Sequence, residues 1–198
     1  MSDELAVRPA APSDADAVLG VIRDAFGAHD ATHGRQVADL WAEVRDGAHL
    51  LADLVAVVDG EVAGHVGVSH CWIDARPELA PASVLSPLST APRHQGKGIG
   101  TALVAAAVDA VRGLGRPALF LEGSPLFYGR RGFEPAATYG FEAPSLRVPP
   151  PAFQVMVLGD RPDWLTGRVV YPEVWWRHDL TGLRDPDLAE VEAALGIS

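Results

Sequence analysis

The first chemistry this sequence suggests is anion binding by bare backbone. Gln95-Gly96-Lys97-Gly98-Ile99-Gly100 follows a short apolar stretch from Leu85 and runs into Thr101-Ala-Leu103, the first turn of an expected helix. The first N–H groups of a helix have no intrahelical partner, and the helix dipole adds positive potential there. A phosphate or pyrophosphate is the natural occupant of such a junction. Glycine suits it, because a Cβ would hold the anion off the backbone and because loop residues there can need a positive φ. Two other phosphate loops fail on detail. A P-loop continues Gly-Lys with Ser or Thr, whereas Gly98 follows Lys97. A dinucleotide fingerprint spaces its glycines Gly-x-Gly-x-x-Gly with an acid about 20 residues on, and neither Gly96, Gly98, Gly100 nor the distance to Glu122 agrees.

The elements that must hold this loop can be read on either side of it. Leu5 to Arg8 is a strand candidate. Ser13 is placed as the N-cap of a helix running through Val18, Val21, Ile22 and Phe26, and Gly34 to Arg45 carries Val37, Leu40, Trp41 and Val44 at helical spacing. The polar loop Gly27 to His33 between them is a possible cover for a substrate site. His49 to Val58 and Glu61 to Ile73 read as a hairpin across Asp59-Gly60. Val84 to Thr90 is a fourth strand, Gly98 to Gly113 the helix after the loop, and Ala118 to Glu122 a fifth strand. Pro125 to Arg131 is a short helix that Gly132 can cap. Strands follow around Gly140 to Leu146 and at Gln154 to Leu158, and Pro186 to Leu195 is a terminal helix capped by Asp185. The expected fold class is mixed α/β, with a parallel crossover joining the fourth and fifth strands. The domain reading is one domain over residues 1–178 and a helical extension over 179–198 packed on it.

Composition narrows the partners. At 198 residues with 48% apolar side chains the chain can bury a core without staples. A net charge of −10 argues against nucleic acid or an anionic membrane as partner. Positive potential must therefore be gathered locally, and Arg93, His94, Lys97, Arg130 and Arg131 can supply it. The acidic remainder favours a cationic acceptor such as an amine. A single cysteine, Cys71, forbids an internal disulfide and fits a reducing cytoplasm. No run is long and apolar enough to span a bilayer, and Met1 to Glu4 has no secretory character. The spacing of His29, His33 and His49 is not that of metal ligands, so no metal is expected. The chain is expected to be a monomer or a homodimer.

Gln95-Gly-Lys-Gly98-Ile-Gly100 resembles the acyl-CoA signature Gln-x-x-Gly-x-Gly of the GNAT superfamily of N-acetyltransferases. Tyr128-Gly-Arg-Arg-Gly132-Phe133 resembles the Tyr-x-x-x-Gly-Phe element that closes the same site in that family. Asp59 to Val66 resembles the hairpin into its third strand. Phe153 to Leu158, with Pro149 to Pro151 before it and Gly167 to Tyr171 after it, is similar to a bacterial YhbS-like subgroup. The likeness covers residues 5 to 176. Ser124 stands where many members carry Asn, and Phe127 departs from the subgroup's Gly-Asp-Pro-x-Tyr-Tyr pattern.

The resemblance implies a GNAT-like fold: a central, twisted, mostly antiparallel sheet with a splayed parallel fourth and fifth strand. It implies acetyl-CoA as co-substrate and direct transfer of the acetyl group to a primary amine. Pro87 cannot donate to a ladder, so it marks either a free sheet edge or a bulge. A bulge there would free the backbone of Leu88, Ser89 and Thr90 to pair with the pantetheine arm, which would add like an extra strand. The pyrophosphate would lie on Gln95, Gly96, Lys97, Gly98, Ile99, Gly100 and Thr101, with Ser124 and Arg130 as further cofactor contacts. An N–H near Leu88 would hold the oxyanion. Tyr128 holds the family's proton-donor position, or else packs the short helix against the cofactor. Glu122, ending the fifth strand, is the leading base, against a role as a helix cap or a solvent-facing residue. His65 and His70 lie on opposite faces of their strand, so only one could serve. Trp41, Trp72, Trp175 and Trp176 are either acceptor-pocket walls or core. Two rival functions stay open: a silent acyl-CoA-binding module, and an acetyltransferase for protein lysines or N-termini.

Overall fold

The structure, a computed structural model, describes residues 5–197; the reading of Met1 to Glu4 lies outside it. In chain order the elements are β1 (Leu5–Pro9), α1 (Ala15–Phe26), α2 (Ala31–Asp46), β2 (Leu50–Val58), β3 (Glu61–Asp74), β4 (Leu79–Thr90) and α3 (Ile99–Arg112). Then come β5 (Ala118–Glu122), α4 (Pro125–Tyr128), β6 (Glu134–Pro135), β7 (Phe141–Glu142), β8 (Phe153–Val157), β9 (Gly167–Val170), α5 (Glu173–Arg177) and α6 (Asp187–Leu195). The chain forms two compact units, one of residues up to Ser69 with Leu85–Gly115, the other of His70–Val84 with the chain from Arg116 onward. β3 and β4 contribute residues to both.

In the first unit β1, β2 and β3 form an antiparallel run, with Leu5 opposite Val58 and Val58 opposite Glu61. Asp59 and Gly60 make the turn with φ of 51° and 84°, the positive pair that a two-residue hairpin of this twist demands. The helices bury one stripe each: Val18, Val21 and Ile22 of α1; Val37, Leu40, Trp41 and Val44 of α2; Ile99, Leu103, Val104, Ala107, Val108 and Val111 of α3. Two boundaries differ from expectation. Asp30, not a later residue, caps α2 by accepting a bond from the Thr32 N–H at 2.8 Å, so the last three residues of the expected polar loop, Ala31 to His33, are helical. Gly34, where the sequence reading begins this helix, lies inside it at a close contact: a Cβ there would lie 2.7 Å from the Cα of Gly27. Ser13 does not cap α1; it sits in a 3-10 turn closed by Asp14, which accepts from the Ala11 N–H at 2.7 Å and pairs with Arg8.

The second unit carries the parallel pair. β4 and β5 are joined at Ser83 opposite Leu119 and Val84 opposite Phe120, a short ladder that lies ahead of Pro87. β5 is apolar and fully buried from Ala118 to Leu121, as a strand covered on both faces must be, and it ends on Glu122. Its other edge pairs antiparallel with β8, from Ala118 opposite Val157 to Glu122 opposite Phe153. β9 pairs antiparallel with β3 and parallel with β7. The fold class is thus mixed α/β, mostly antiparallel, with the parallel β4–β5 pair, a two-residue parallel β7–β9 contact and flanking helices. The strand expected around residues 140–146 is only the two residues of β7, and β4 begins at Leu79, five residues before the expected start. α5 was not foreseen.

Candidate functional site

The loop after β4 has the backbone expected of an anion cradle. Gly96 and Gly98 adopt φ of 78° and 85°, a region closed to most side chains, and a Cβ on either would meet nothing within 4 Å. The space beside the backbone is therefore open. Gly98 is the N-cap of α3, and the first bonds to its carbonyl come from the Thr101 and Ala102 N–H groups at 3.0 and 3.1 Å. The N–H groups of Ile99 and Gly100, at the head of the helix, have no carbonyl one turn earlier to use. Gln95 anchors the loop by donating its side-chain amide to the Thr90 carbonyl at 3.3 Å. Arg93 is engaged elsewhere, with Glu61 at 2.7 Å and His94 at 3.1 Å, so much of its charge is offset locally. Of the three residues expected to meet the pantetheine arm, Thr90 thus lends its carbonyl to Gln95. Ser89 turns its carbonyl toward Gly64, where a Cβ would stand 3.0 Å away. Gly64 is required for this close approach, since the same Cβ would also meet Ile99 and Leu103 of α3 at 2.8 and 3.0 Å.

The second unit holds the titratable candidates. Glu122 ends β5 with one carboxylate oxygen, Oε2, accepting from the Gly182 N–H at 3.1 Å. Its Oε1 and the Tyr171 hydroxyl are buried without a partner of good hydrogen-bond geometry, yet they lie near enough for the phenol to favour the carboxylate. Burial outweighs Tyr171, Gly182 and Arg147 and pushes the Glu122 pKa up to about 7. Gly123 follows, its N–H bonded to the Ala152 carbonyl at 2.9 Å and its carbonyl accepting from the Gln154 side chain at 3.0 Å. A Cβ on Gly123 would run into the Tyr128 ring, which explains the glycine. Tyr128 closes α4, edge-on to Phe127 and Phe133 at 4.8 and 5.8 Å between ring centres. Burial raises its pKa to about 12, with Arg131 opposing, so the phenol stays protonated through the neutral range. Ser124 heads α4 and receives the Phe127 and Tyr128 N–H groups on its carbonyl, at 3.1 and 3.0 Å, while its side chain caps nothing. Arg130 is exposed in the 3-10 turn that Gly132 ends with φ 86°.

Other candidates resolve differently. His65 is fully buried beneath the Trp41 ring with Nε2 2.9 Å from Asp53 Oδ1, a core histidine rather than a reachable base. Its pKa is lowered, because burial outweighs the attraction of Asp53. His70 stacks edge-on against Trp72 at 4.3 Å. Trp41 and Trp175 are core, whereas Trp72 and Trp176 are partly exposed. Two residues escaped the sequence. Gln154 was signalled by a lone amide inside the apolar run Phe153 to Val157. Gly182 lies 60 residues from Glu122 and gave no local signal. Among the described residues no group of three or more His, Cys, Asp or Glu could hold a metal ion, and no helix is long and apolar enough to cross a membrane.

These features meet known proteins at several points. The family model of the acetyltransferase (GNAT) domain matches residues 6–136. The uncharacterized N-acetyltransferase YhbS of Escherichia coli is 32% identical over 171 residues, covering 84% of this chain and 96% of the relative. The uncharacterized N-acetyltransferase YjhQ of the same species is 30% identical, covering 67% of this chain and 71% of the relative. Among solved structures, E. coli YhbS in complex with CoA superposes with a TM-score of 0.79 at 28% identity, over 92% of this chain and 98% of that one. A GNAT family acetyltransferase of Brucella melitensis in complex with acetyl-CoA gives 0.70 at 26% identity, over 87% and 99%. With the glycine loop, the parallel β4–β5 pair and this agreement over most of its length, the chain belongs to the GNAT superfamily of acetyltransferases.

Proposed function

We propose that the protein moves an acetyl group from acetyl-CoA directly to a primary amine of a small-molecule acceptor. The observation that carries this reading is the loop from Gln95 to Gly100, with its two positive-φ glycines and unobstructed backbone at the head of α3. That arrangement suits a pyrophosphate, and two similar proteins were solved with CoA or acetyl-CoA. Thr101, Ser124 and Arg130 would add side-chain contacts, and the backbone of Leu88 to Thr90 would receive the pantetheine arm. An N–H near Leu88 would stabilise the oxyanion.

An alkylamine has a pKa of about 10.4, so it arrives charged and must lose a proton before attack. Glu122, held near neutrality by burial, is matched to that task. The amine nitrogen then bonds the thioester carbonyl carbon, the tetrahedral oxyanion collapses as the carbon–sulfur bond breaks, and the proton left on nitrogen replaces the one that Tyr128 gives to sulfur, so that the amide and CoA thiol are the products. Tyr128, protonated through the neutral range, would act as the general acid for the departing sulfur. Cys71 is buried, which raises its thiol pKa and keeps thiolate from forming, so it is no acyl carrier and transfer without an acyl-enzyme is favoured. We propose the cytoplasm as the site of the reaction, and residues 179–198 as a helical extension of the domain formed by residues 1–178.

The test has two parts. Calorimetric titration with acetyl-CoA should show binding by the wild type and none by Gly98→Val, whose side chain would occupy the phosphate position in a disfavoured backbone. Equal affinity for both would sink the site. Thiol release from acetyl-CoA with a panel of small amines should then show turnover; binding without release for any amine or lysine peptide would favour the silent acyl-CoA-binding module.

A further inference from the structure

The Glu122 carboxylate is contacted by parts of the chain far from β5. The Gly182 N–H reaches Oε2 at 3.1 Å across 60 residues. Gly182 is itself fixed: its φ is 70°, and a Cβ would meet the Arg147 carbonyl carbon and oxygen at 2.6 Å. The next residue, Leu183, donates its N–H to that same Arg147 carbonyl at 3.0 Å. On the other side Arg147 stands 3.3 Å from Asp179, which Arg184 grips through two nitrogens at 2.5 and 2.8 Å. The Tyr171 ring is 4% exposed, and its hydroxyl lies beside the carboxylate. A buried carboxyl oxygen without a partner is costly, and Oε1 of Glu122 is left in that condition while Oε2 is held.

We propose that the segment from Tyr171 to Leu183 is a positioning element for Glu122: Gly182 fixes Oε2, the Tyr171 hydroxyl flanks the carboxyl, and Oε1 is left as the oxygen that takes a proton, directly or through one water. This rests on the reading of Glu122 as the base and adds the residues that set its orientation and its working pH. The groups that face the carboxyl are the Gly182 N–H and the Tyr171 hydroxyl, which favour its charged form, and the Arg147 guanidinium, which acts in the same sense. Cys71 faces Tyr171, and as a neutral thiol it adds no charge. Removing a group that favours the anion must raise the Glu122 pKa.

The experiment uses the full-length protein labelled with carbon-13 at the glutamate carboxyl, with the Glu122 signal assigned by its loss in Glu122→Gln. Tyr171→Phe keeps the ring and the core packing; Gly182→Ala forces the N–H away from Oε2. Both should move the Glu122 titration upward by about half to one pH unit. The acidic limb of kcat/KM should move by the same amount, lowering kcat/KM about three- to tenfold at pH 6 and less than twofold at pH 9. A merely structural role would lower activity evenly across pH and leave the titration in place. An unmoved carboxyl titration in Tyr171→Phe overturns the proposal, whatever becomes of Gly182→Ala. A carboxyl titration that moves while the kinetic limb stays put, and stays put in Glu122→Gln as well, supports the positioning element and removes Glu122 as the base.

Discussion

If Glu122 is kept ready for chemistry by burial, the fold must bear a cost for it above neutral pH, and a single substitution should recover that cost. Glu122→Gln keeps the shape of the side chain and an oxygen to accept the Gly182 N–H, and it removes the charge. The folded protein raises this carboxyl from its ordinary 4.5 to about 7. A group whose folded pKa lies above its unfolded value favours folding fully below the unfolded value, and that favour is lost as pH rises through the folded one. Between those two values stability should fall by about 3 kcal/mol, which is the gap of about two and a half pH units at roughly 1.4 kcal/mol each. At pH 8.5 the Gln variant should therefore be the more stable protein by up to about 3 kcal/mol, or about 6–12 °C in Tm for a chain of this size. At pH 5 the advantage should shrink to less than about 1 kcal/mol, because residue 122 is then neutral in both folded proteins. Thermal melts of the two proteins from pH 5 to 8.5, followed by circular dichroism, measure this without any substrate. Parallel Tm curves, or a Gln variant less stable at pH 8.5, would refute the claim that Glu122 is a strained, nearly neutral acid. A variant that is more stable and inactive would mark Glu122 as a site where stability is given up for function.

Three further outcomes follow from the same structure. Tyr128→Phe keeps the packing on Phe127, Phe133 and Gly123, so acetyl-CoA affinity should hold while kcat falls by about 10²; survival of both quantities would leave Tyr128 a packing residue. His65 has the opposite pH sense to Glu122: its folded pKa is depressed, so its contribution is complete above the unfolded value of 6.5 and is lost as pH falls below it. Urea denaturation should show stability declining on that side by up to about 1.4 kcal/mol per pH unit in the wild type, with the decline reduced in His65→Gln; equal slopes would contradict it. Gly67→Ala would push a methyl group into the Trp41 ring, so it should destabilise by about 1–3 kcal/mol in the same assay, and a neutral result would show that Trp41 can shift freely.

What the sequence revealed depended on how local the cause was. The Asp59-Gly60 turn, the glycine loop and the Gly132 cap were legible because each is dictated by backbone torsions within two or three residues. The start of α2 was misplaced because Gly34 looks like a breaker in one dimension, and only the approach of Gly27 in space explains it. β4 was shortened because Ala80 to Ser83 is built of small residues and a proline, which hide the alternation that burial imposes. Glu122 and Tyr128 could be placed from their elements, but the groups that govern Glu122 could not. Tyr171, Arg147 and Gly182 come from three later segments, and no spacing rule links a glycine to a carboxylate 60 residues away.

The bond from Gly182 to Glu122 also has a consequence for how such proteins diverge. The segment shared with the family model ends at residue 136, so it contains the loop, Glu122 and Tyr128 but none of Arg147, Tyr171 or Gly182. On the reading proposed above, residues 6–136 would supply the reacting groups, and the later segment would set the pH at which Glu122 works. Changes confined to residues 137–197 would then shift that pH and leave the glycine loop as it is. Grafting residues 137–197 from one relative onto another should carry the pH optimum with it and leave acyl-CoA recognition behind.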